Sequence, residues 1–291
     1  MAVLYLLLFV SVFIDSLKNT YYNYFGKNQL DTPKDSFLFN MVCCIGSAIL
    51  LALLGMQFKI SSYSMISAVI FAAVTVGAQY FSLQAMKLGS MSFSVLFTYI
   101  SMLIPTIFGV ICYGTSVSVF QYIGLVLMIV CFVLSVDLKK DSQMSVKWLL
   151  AALASFLAWG LVGVCQQVHQ NSPHKEELNG FLMWSFVFST VMFALLYFVA
   201  ARKKNSPKSN FKIKSRDSIG ALVAGAVIGA VNIINLYLSG AMNPVIFFPI
   251  VNGGVIVLSG LAAILFFKEK LSVKQTIGLI LGIAATCFLS L

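Results

Sequence analysis

Apolar runs of about 18 residues or more, each long enough for one bilayer crossing, recur down the chain between short polar turns. They predict helices at 2–24, 36–56, 64–86, 91–112 and 118–136, then at 148–168, 180–200, 218–240, 243–266 and 275–291. The chain therefore reads as ten transmembrane helices, five in each half.

The halves repeat one another. Ser118-Val119-Phe120-Gln121-Tyr122-Ile123-Gly124-Leu125-Val126-Leu127-Met128-Ile129 returns 154 positions later as Ser272-Val273-Lys274-Gln275-Thr276-Ile277-Gly278-Leu279-Ile280-Leu281-Gly282-Ile283, identical at eight of twelve positions. Each copy opens the last apolar span of its half, as expected of a duplicated unit inside a transporter. An odd number of crossings per unit makes the second copy enter from the opposite face. The expected fold is an all-α membrane protein of two inverted five-helix repeats, 1–140 and 141–291, joined through Asp137–Lys147.

Composition narrows the class further. Hydrophobic residues make up 60% of the chain and charged residues 10%, against about 25% charged in soluble domains. The net charge of +10 is not spread evenly. Of nineteen basic residues, Lys59 and Lys175 alone fall in even-numbered loops and Lys18 within the first helix; all others fall in odd-numbered loops. Basic residues favour cytoplasmic loops, so the odd loops read as cytoplasmic and both termini as external. The run Arg202–Arg216 lacks an interleaved aromatic stripe and reads as a solvated inside loop beside anionic lipid, not a nucleic-acid site. The first apolar stretch, Val3–Ile14, has no basic leader and is expected to remain as the first membrane helix.

Gln84-Ala85-Met86, Pro105, Gln121-Tyr122-Ile123-Gly124, Gly240-Ala241-Met242, Pro244, Pro249, Glu269-Lys270-Leu271-Ser272 and Gln275-Thr276-Ile277-Gly278 together resemble the drug/metabolite transporter superfamily, in its ten-helix EamA-type branch. The resemblance spans nearly the whole chain and is specific for fold, not cargo. Two features depart from it: Thr115 stands where the family usually has an acidic residue, and the basic residues place the termini outside. The resemblance implies secondary transport of a small polar or amphipathic metabolite, such as an amino acid, by export or exchange, and a lysine on the first helix at Lys18.

Polar groups at membrane depth need a partner or a wet cavity. Asp15 and Lys18 are three apart on the first helix and can meet on one face; they read either as a neutralising pair or as cavity lining. Gln79, Tyr80 and Gln84 on helix three, Tyr99 on four, Trp159 and Gln166 on six, Asn232 and Asn235 on eight, and Asn252 on nine are candidates for substrate contact or for interhelical glue. Helices one, three, four, six, eight and nine would then line one cavity. Pro105, Pro244 and Pro249 are candidate helix breaks, with Gly253-Gly254 loosening helix nine; such breaks either bare backbone for cargo or shape packing. Gly225 with Gly229, and Gly278 with Gly282, permit close helix approach.

The six cysteines fall inside spans and read as packing residues, without metal spacing. His169 and His174, at or beyond the end of helix six, are expected in solvent. No phosphate loop, His-Glu-x-x-His or serine elbow is present, so neither an ATPase nor a familiar protease is supported. No cofactor is implied. The expected partners are a small-molecule substrate and the lipid bilayer, with a second copy of the chain left open; the location is the cell membrane, multi-pass. The rival reading is a membrane scaffold or an embedded enzyme acting on a lipid-linked substrate.

Overall fold

The computed structural model describes residues 2–29, 32–55, 58–88, 97–135, 145–202, 215–265 and 272–291. The described residues form ten α-helices: α1 Ala2–Gln29, α2 Pro33–Gly55, α3 Ser62–Leu88, α4 Leu103–Tyr113, α5 Val119–Ser135, α6 Val146–Gln170, α7 Leu178–Ala201, α8 Ser215–Ala241, α9 Pro244–Leu265 and α10 Val273–Leu289. A 3-10 turn at Lys175–Glu177 leads into α7. Residues 97–100 are also helical, and a turn at 101–102 separates them from α4. The expected start of that helix at 91, the 137–147 link up to 144 and most of the Arg202–Arg216 run lie outside the described residues.

Chemically similar devices start many of these helices. Ser118 and Gln121 exchange bonds at the head of α5: Gln121 N–H donates to Ser118 Oγ (3.1 Å), and Ser118 N–H to Gln121 Oε1 (3.1 Å). Ser272 and Gln275 do the same for α10, at 3.3 and 2.9 Å. Thr32 and Asp35 close a third such box around Pro33, the first residue of α2. Each satisfies backbone donors that a helix start leaves unpaired. The repeated Ser-x-x-Gln is therefore the beginning of a helix, built twice.

The chain forms two compact units, one of Met1–Ser16, Gly77–Val168 and Leu238–Leu291, the other of Leu17–Val76 and His169–Tyr237. Each draws on both halves of the chain, and the division falls within α1, α3, α6 and α8.

In the first unit α5 packs along α10, and α9 packs on α4, α5 and α10. Gly124, near the head of α5, takes Leu289 from the tail of α10, and Phe120 stacks on Phe288 with centroids 6.3 Å apart. The two helices therefore run antiparallel. The end of α4 meets the beginning of α9 in the same sense, Gly109 lying under Pro244.

In the second unit α2 packs along α7, and Gly55 at the end of α2 lies against Asn179 at the start of α7. This pair is antiparallel too. Leu38, Phe39, Val42 and Cys43 of α2 form a buried cluster with Ala221 and Ala224 of α8. Glycine makes the approach possible: Gly46 faces the Leu222 carbonyl, Gly225 the Cys43 carbonyl, and a β-carbon on Gly229 would stand 3.2 Å from Ser47 Cα.

Outer helix faces are apolar at helical spacing, as with Leu6, Phe9, Phe13 and Leu17 on α1 and Val273, Ile277, Ile280 and Ile283 on α10. Stripes of this size are a liability in water and are at home in lipid. The cysteines divide: Cys43, Cys44 and Cys131 are buried as expected, whereas Cys112 and Cys287 lie on the exposed surface, because their helices turn those positions outward. His169 also departs from expectation. It is 1% exposed, because α6 runs on to Gln170 and packs its last turn under Phe181 of α7.

Candidate functional site

α1 turns two faces to different surroundings. Opposite its exposed stripe, Leu8, Ser11, Val12, Asp15 and Ser16 are all buried. Asp15, 6% exposed, is thus directed into protein rather than lipid, as a carboxyl at membrane depth requires. The side chain of Lys18 lies outside the described residues.

Most remaining candidates belong to the first unit. Trp159 on α6 donates its indole N–H to Ser82 Oγ on α3 (3.0 Å), and Ser82 and Ser155 hydroxyls lie 2.6 Å apart. The indole is therefore engaged in an α3–α6 seam, the glue reading of a buried polar side chain. Ser82 and Ser155 are not candidates by sequence. Their only signal is the four-residue spacing that puts Ser155 and Trp159 on one face of α6. On α3, Gln79, Tyr80 and Gln84 are half-buried, with the Tyr80 ring edge-on to Phe81 at 5.5 Å. Tyr99 leans on Phe132 of α5 at 5.8 Å. Gln166 is buried.

The neighbour of Gln166 matters more to the helix joint. Gln167 is fully buried and donates its amide to the Pro105 carbonyl at 2.7 Å. A β-carbon on Gly163, one turn earlier, would stand 2.7 Å from Pro105 Cγ and 3.0 Å from Phe248 Cε1. One on Gly109 would stand 2.5 Å from Pro244 Cγ and 2.8 Å from Gln167 Oε1. Proline rings from α4 and α9 thus rest on glycines of α6 and α4, and one amide ties the joint.

Of the three candidate helix breaks, Pro105 alone stands beside an interruption. It lies just after the turn at 101–102, where Ile104 N–H bonds the Ser101 carbonyl at 3.1 Å in place of a regular α-helical bond. Pro244 instead opens α9, where a missing N–H costs nothing; Asn243 caps the helix by accepting Val245 N–H at 2.8 Å. Pro249 lies inside α9, which continues through it. Gly253 and Gly254 do not loosen α9 either: they admit Met128 of α5 and Val12 of α1 against its backbone. Asn252 donates to its own helix at the Phe248 carbonyl, 2.9 Å.

Asn232 and Asn235 belong to the second unit, half-buried on α8, with Asn232 donating to the Ile228 carbonyl at 2.9 Å.

The sequence pattern of the EamA-like transporter family matches residues 146–291, half of the chain. The chain belongs to the EamA-like transporter family. This agrees with the drug/metabolite transporter superfamily. One solved crystal structure of a protein, 14% identical, has a TM-score of 0.74 and covers 98% of this chain and 97% of its own; that likeness carries the fold alone. No curated protein matches the chain. As an EamA-like transporter it is an integral membrane protein, and among the described residues α2, α3, α6, α7 and α8 contain apolar stretches long enough to cross a bilayer. The other five helices are apolar over shorter lengths.

Proposed function

We propose that this EamA-like transporter is a secondary transporter of the cell membrane, built as two inverted repeats, 1–140 and 141–291, that carries a small polar or amphipathic metabolite by alternating access. The observation that carries the reading is the antiparallel pairing of α2 with α7, α4 with α9 and α5 with α10. Each joins a helix to the one five places on. A second copy inserted the same way up would run parallel to its twin; a copy turned over runs antiparallel, as inverted-repeat transporters require.

Amino acids or related compounds are the favoured cargo and export or exchange the favoured direction. Asp15, Lys18, Gln79, Tyr80, Gln84, Tyr99, Trp159, Gln166, Asn232, Asn235 and Asn252 are proposed to line the path, with the interruption before Pro105 baring backbone to it. Trp159 and Asn252 already spend their donors on Ser82 and Phe248, which weights them toward positioning. The scaffold and embedded-enzyme readings are not favoured by any observed arrangement.

Purified protein in liposomes, offered a panel of labelled metabolites, tests the reading. Saturable uptake of a member of the panel, absent from protein-free vesicles, is expected; no flux of any small polar solute in either direction overturns it. Cysteine labelling at 202–216 with an impermeant reagent tests the orientation, with no reaction expected from outside intact cells.

A further inference from the structure

In the Leu17–Val76/His169–Tyr237 unit, the start of α3 is finished by a residue far away in sequence. Ser61 caps α3: its Oγ accepts Ser64 N–H at 3.2 Å, and its carbonyl accepts Met65 N–H at 3.0 Å. At α2, α5 and α10 the reciprocal half of such a cap comes from the helix's own third residue. At α3 that residue is Ser64, and Glu177 takes over the task. Its two carboxylate oxygens accept Ser61 N–H at 3.1 Å each, and Oε2 accepts Ser61 Oγ–H at 2.7 Å. A carboxylate is favoured there by the positive end of the helix dipole as well.

Behind this cap lies His169, its ring stacked on Phe181 with centroids 4.0 Å apart. Nε2 is 3.2 Å from Ser64 Oγ, and Nδ1 is 3.2 Å from Gln170 Nε2. Gln170 Nε2 also donates to the Lys175 carbonyl at 3.5 Å, so the amide turns its N–H end toward the ring. Nδ1 therefore accepts, and the single ring proton sits on Nε2, donated to Ser64. Both ring contacts suit the neutral imidazole. Among the described residues, the titratable groups that face it are Glu177 and His174 of the turn; α3 offers Ser64 and α7 offers Phe181, neither charged. His174 stacks on Tyr63 at 5.2 Å and holds Nδ1 3.7 Å from Glu177 Oε1.

We infer that His169 is a proton-binding site whose occupation releases the start of α3 from the turn before α7. A solvent proton adds to the Nδ1 lone pair and no other bond is made. The new N–H faces the Gln170 N–H, so the amide turns over, gives up the Lys175 carbonyl and presents its oxygen. The imidazolium draws the Glu177 carboxylate away from Ser61, and the cap opens. The inference does not depend on which solute is carried, nor on transport.

Hydrogen exchange of the full chain in detergent, corrected for intrinsic rates and followed from about pH 8 to about pH 4, a window carried below the ordinary histidine transition because the ring is buried, tests it. Peptides over 58–66 and 169–178 are expected to lose protection on acidification, with the open population rising about tenfold or more. Glu177→Gln is expected to be open throughout, and His169→Gln closed throughout. The chain has two histidines, so His174→Gln leaves His169 as the sole one, and its ring titration, read by NMR, should track the opening. Protection independent of pH in the wild type overturns the inference, as does a wild-type pH response in His169→Gln. Loss of the response in His174→Gln transfers the switch to His174 and overturns it equally. Should His169→Gln fail to fold, the single-histidine variant decides: a ring that stays neutral while the cap opens is fatal to the proposal.

Discussion

Gly124 lies under Leu289: a β-carbon at 124 would come within 2.8 Å of Leu289 Cγ and 3.1 Å of the Ala285 carbonyl. Gly124→Val is expected to force α5 and α10 apart at a cost of about 1–3 kcal/mol, as overpacking does. Gly77, with no atom within 4 Å of the same position, is the matched control. Gly77→Ala should leave stability unchanged or raise it by up to about 1 kcal/mol. Thermal unfolding in one detergent reads both; equal loss at the two sites refutes the seam.

Gly225 is less forgiving, because what it faces is the Cys43 backbone, which cannot rotate aside as a side chain can. Gly225→Val should lower the yield of folded protein more than Gly124→Val does. Ser47→Ala, which removes the bonds from Ser47 Oγ to the Gly225 carbonyl (2.6 Å) and to the Cys43 carbonyl of its own helix (3.1 Å), should cost about 0.6–1.7 kcal/mol. Size-exclusion recovery and melting temperature rank the three.

The two copies of the Ser-x-x-Gln box offer an internal comparison. Ser118→Ala and Ser272→Ala each remove a cap worth about 0.5–2 kcal/mol. Gln121 is buried and Gln275 is not, so Gln121→Ala is expected to cost more than Gln275→Ala, since it also strips a buried side chain from the core. Melting curves of the four variants test the order.

Trp159→Phe keeps the ring and loses the donor to Ser82. If the indole positions α6 against α3, stability falls by about 0.5–1.5 kcal/mol and the KM for an identified substrate is unchanged. A raised KM at unchanged stability assigns the indole to cargo instead.

Asp15→Asn and Lys18→Met test the proposed path from the other end. Loss of transport, or loss of its pH dependence, is expected in both. Full and pH-independent transport by both variants removes the pair from the mechanism.

Helix number and order were legible in the chain because lipid demands long apolar runs; which helices pack together was not, because the repeat marks equivalent segments without saying that they touch. Ends were less legible. α1 runs to Gln29, past the expected end at 24, because polar residues beyond a membrane can continue a helix without changing its hydropathy. His169 defeated the reading for a related reason: a titratable residue near a helix end looks solvated until the next helix is known to cover it. Gln166 and Gln167 are both buried, and adjacent amides are indistinguishable in sequence until a carbonyl such as that of Pro105 is shown to lie opposite one of them. Pro244 and Pro249 were indistinguishable as breaks, because sequence does not say which proline falls on a first turn.

The glycines of the α2–α8 seam also set an order on manufacture. Gly46 is shaped for Leu222, and Cys43 for Gly225, so the second helix leaves the ribosome with a face cut for a neighbour still unmade. Equivalent debts run from α4 to α9 and from α5 to α10. A nascent chain halted at its midpoint holds one side of each of these seams, and the insertion machinery must shelter those faces until the last helix arrives.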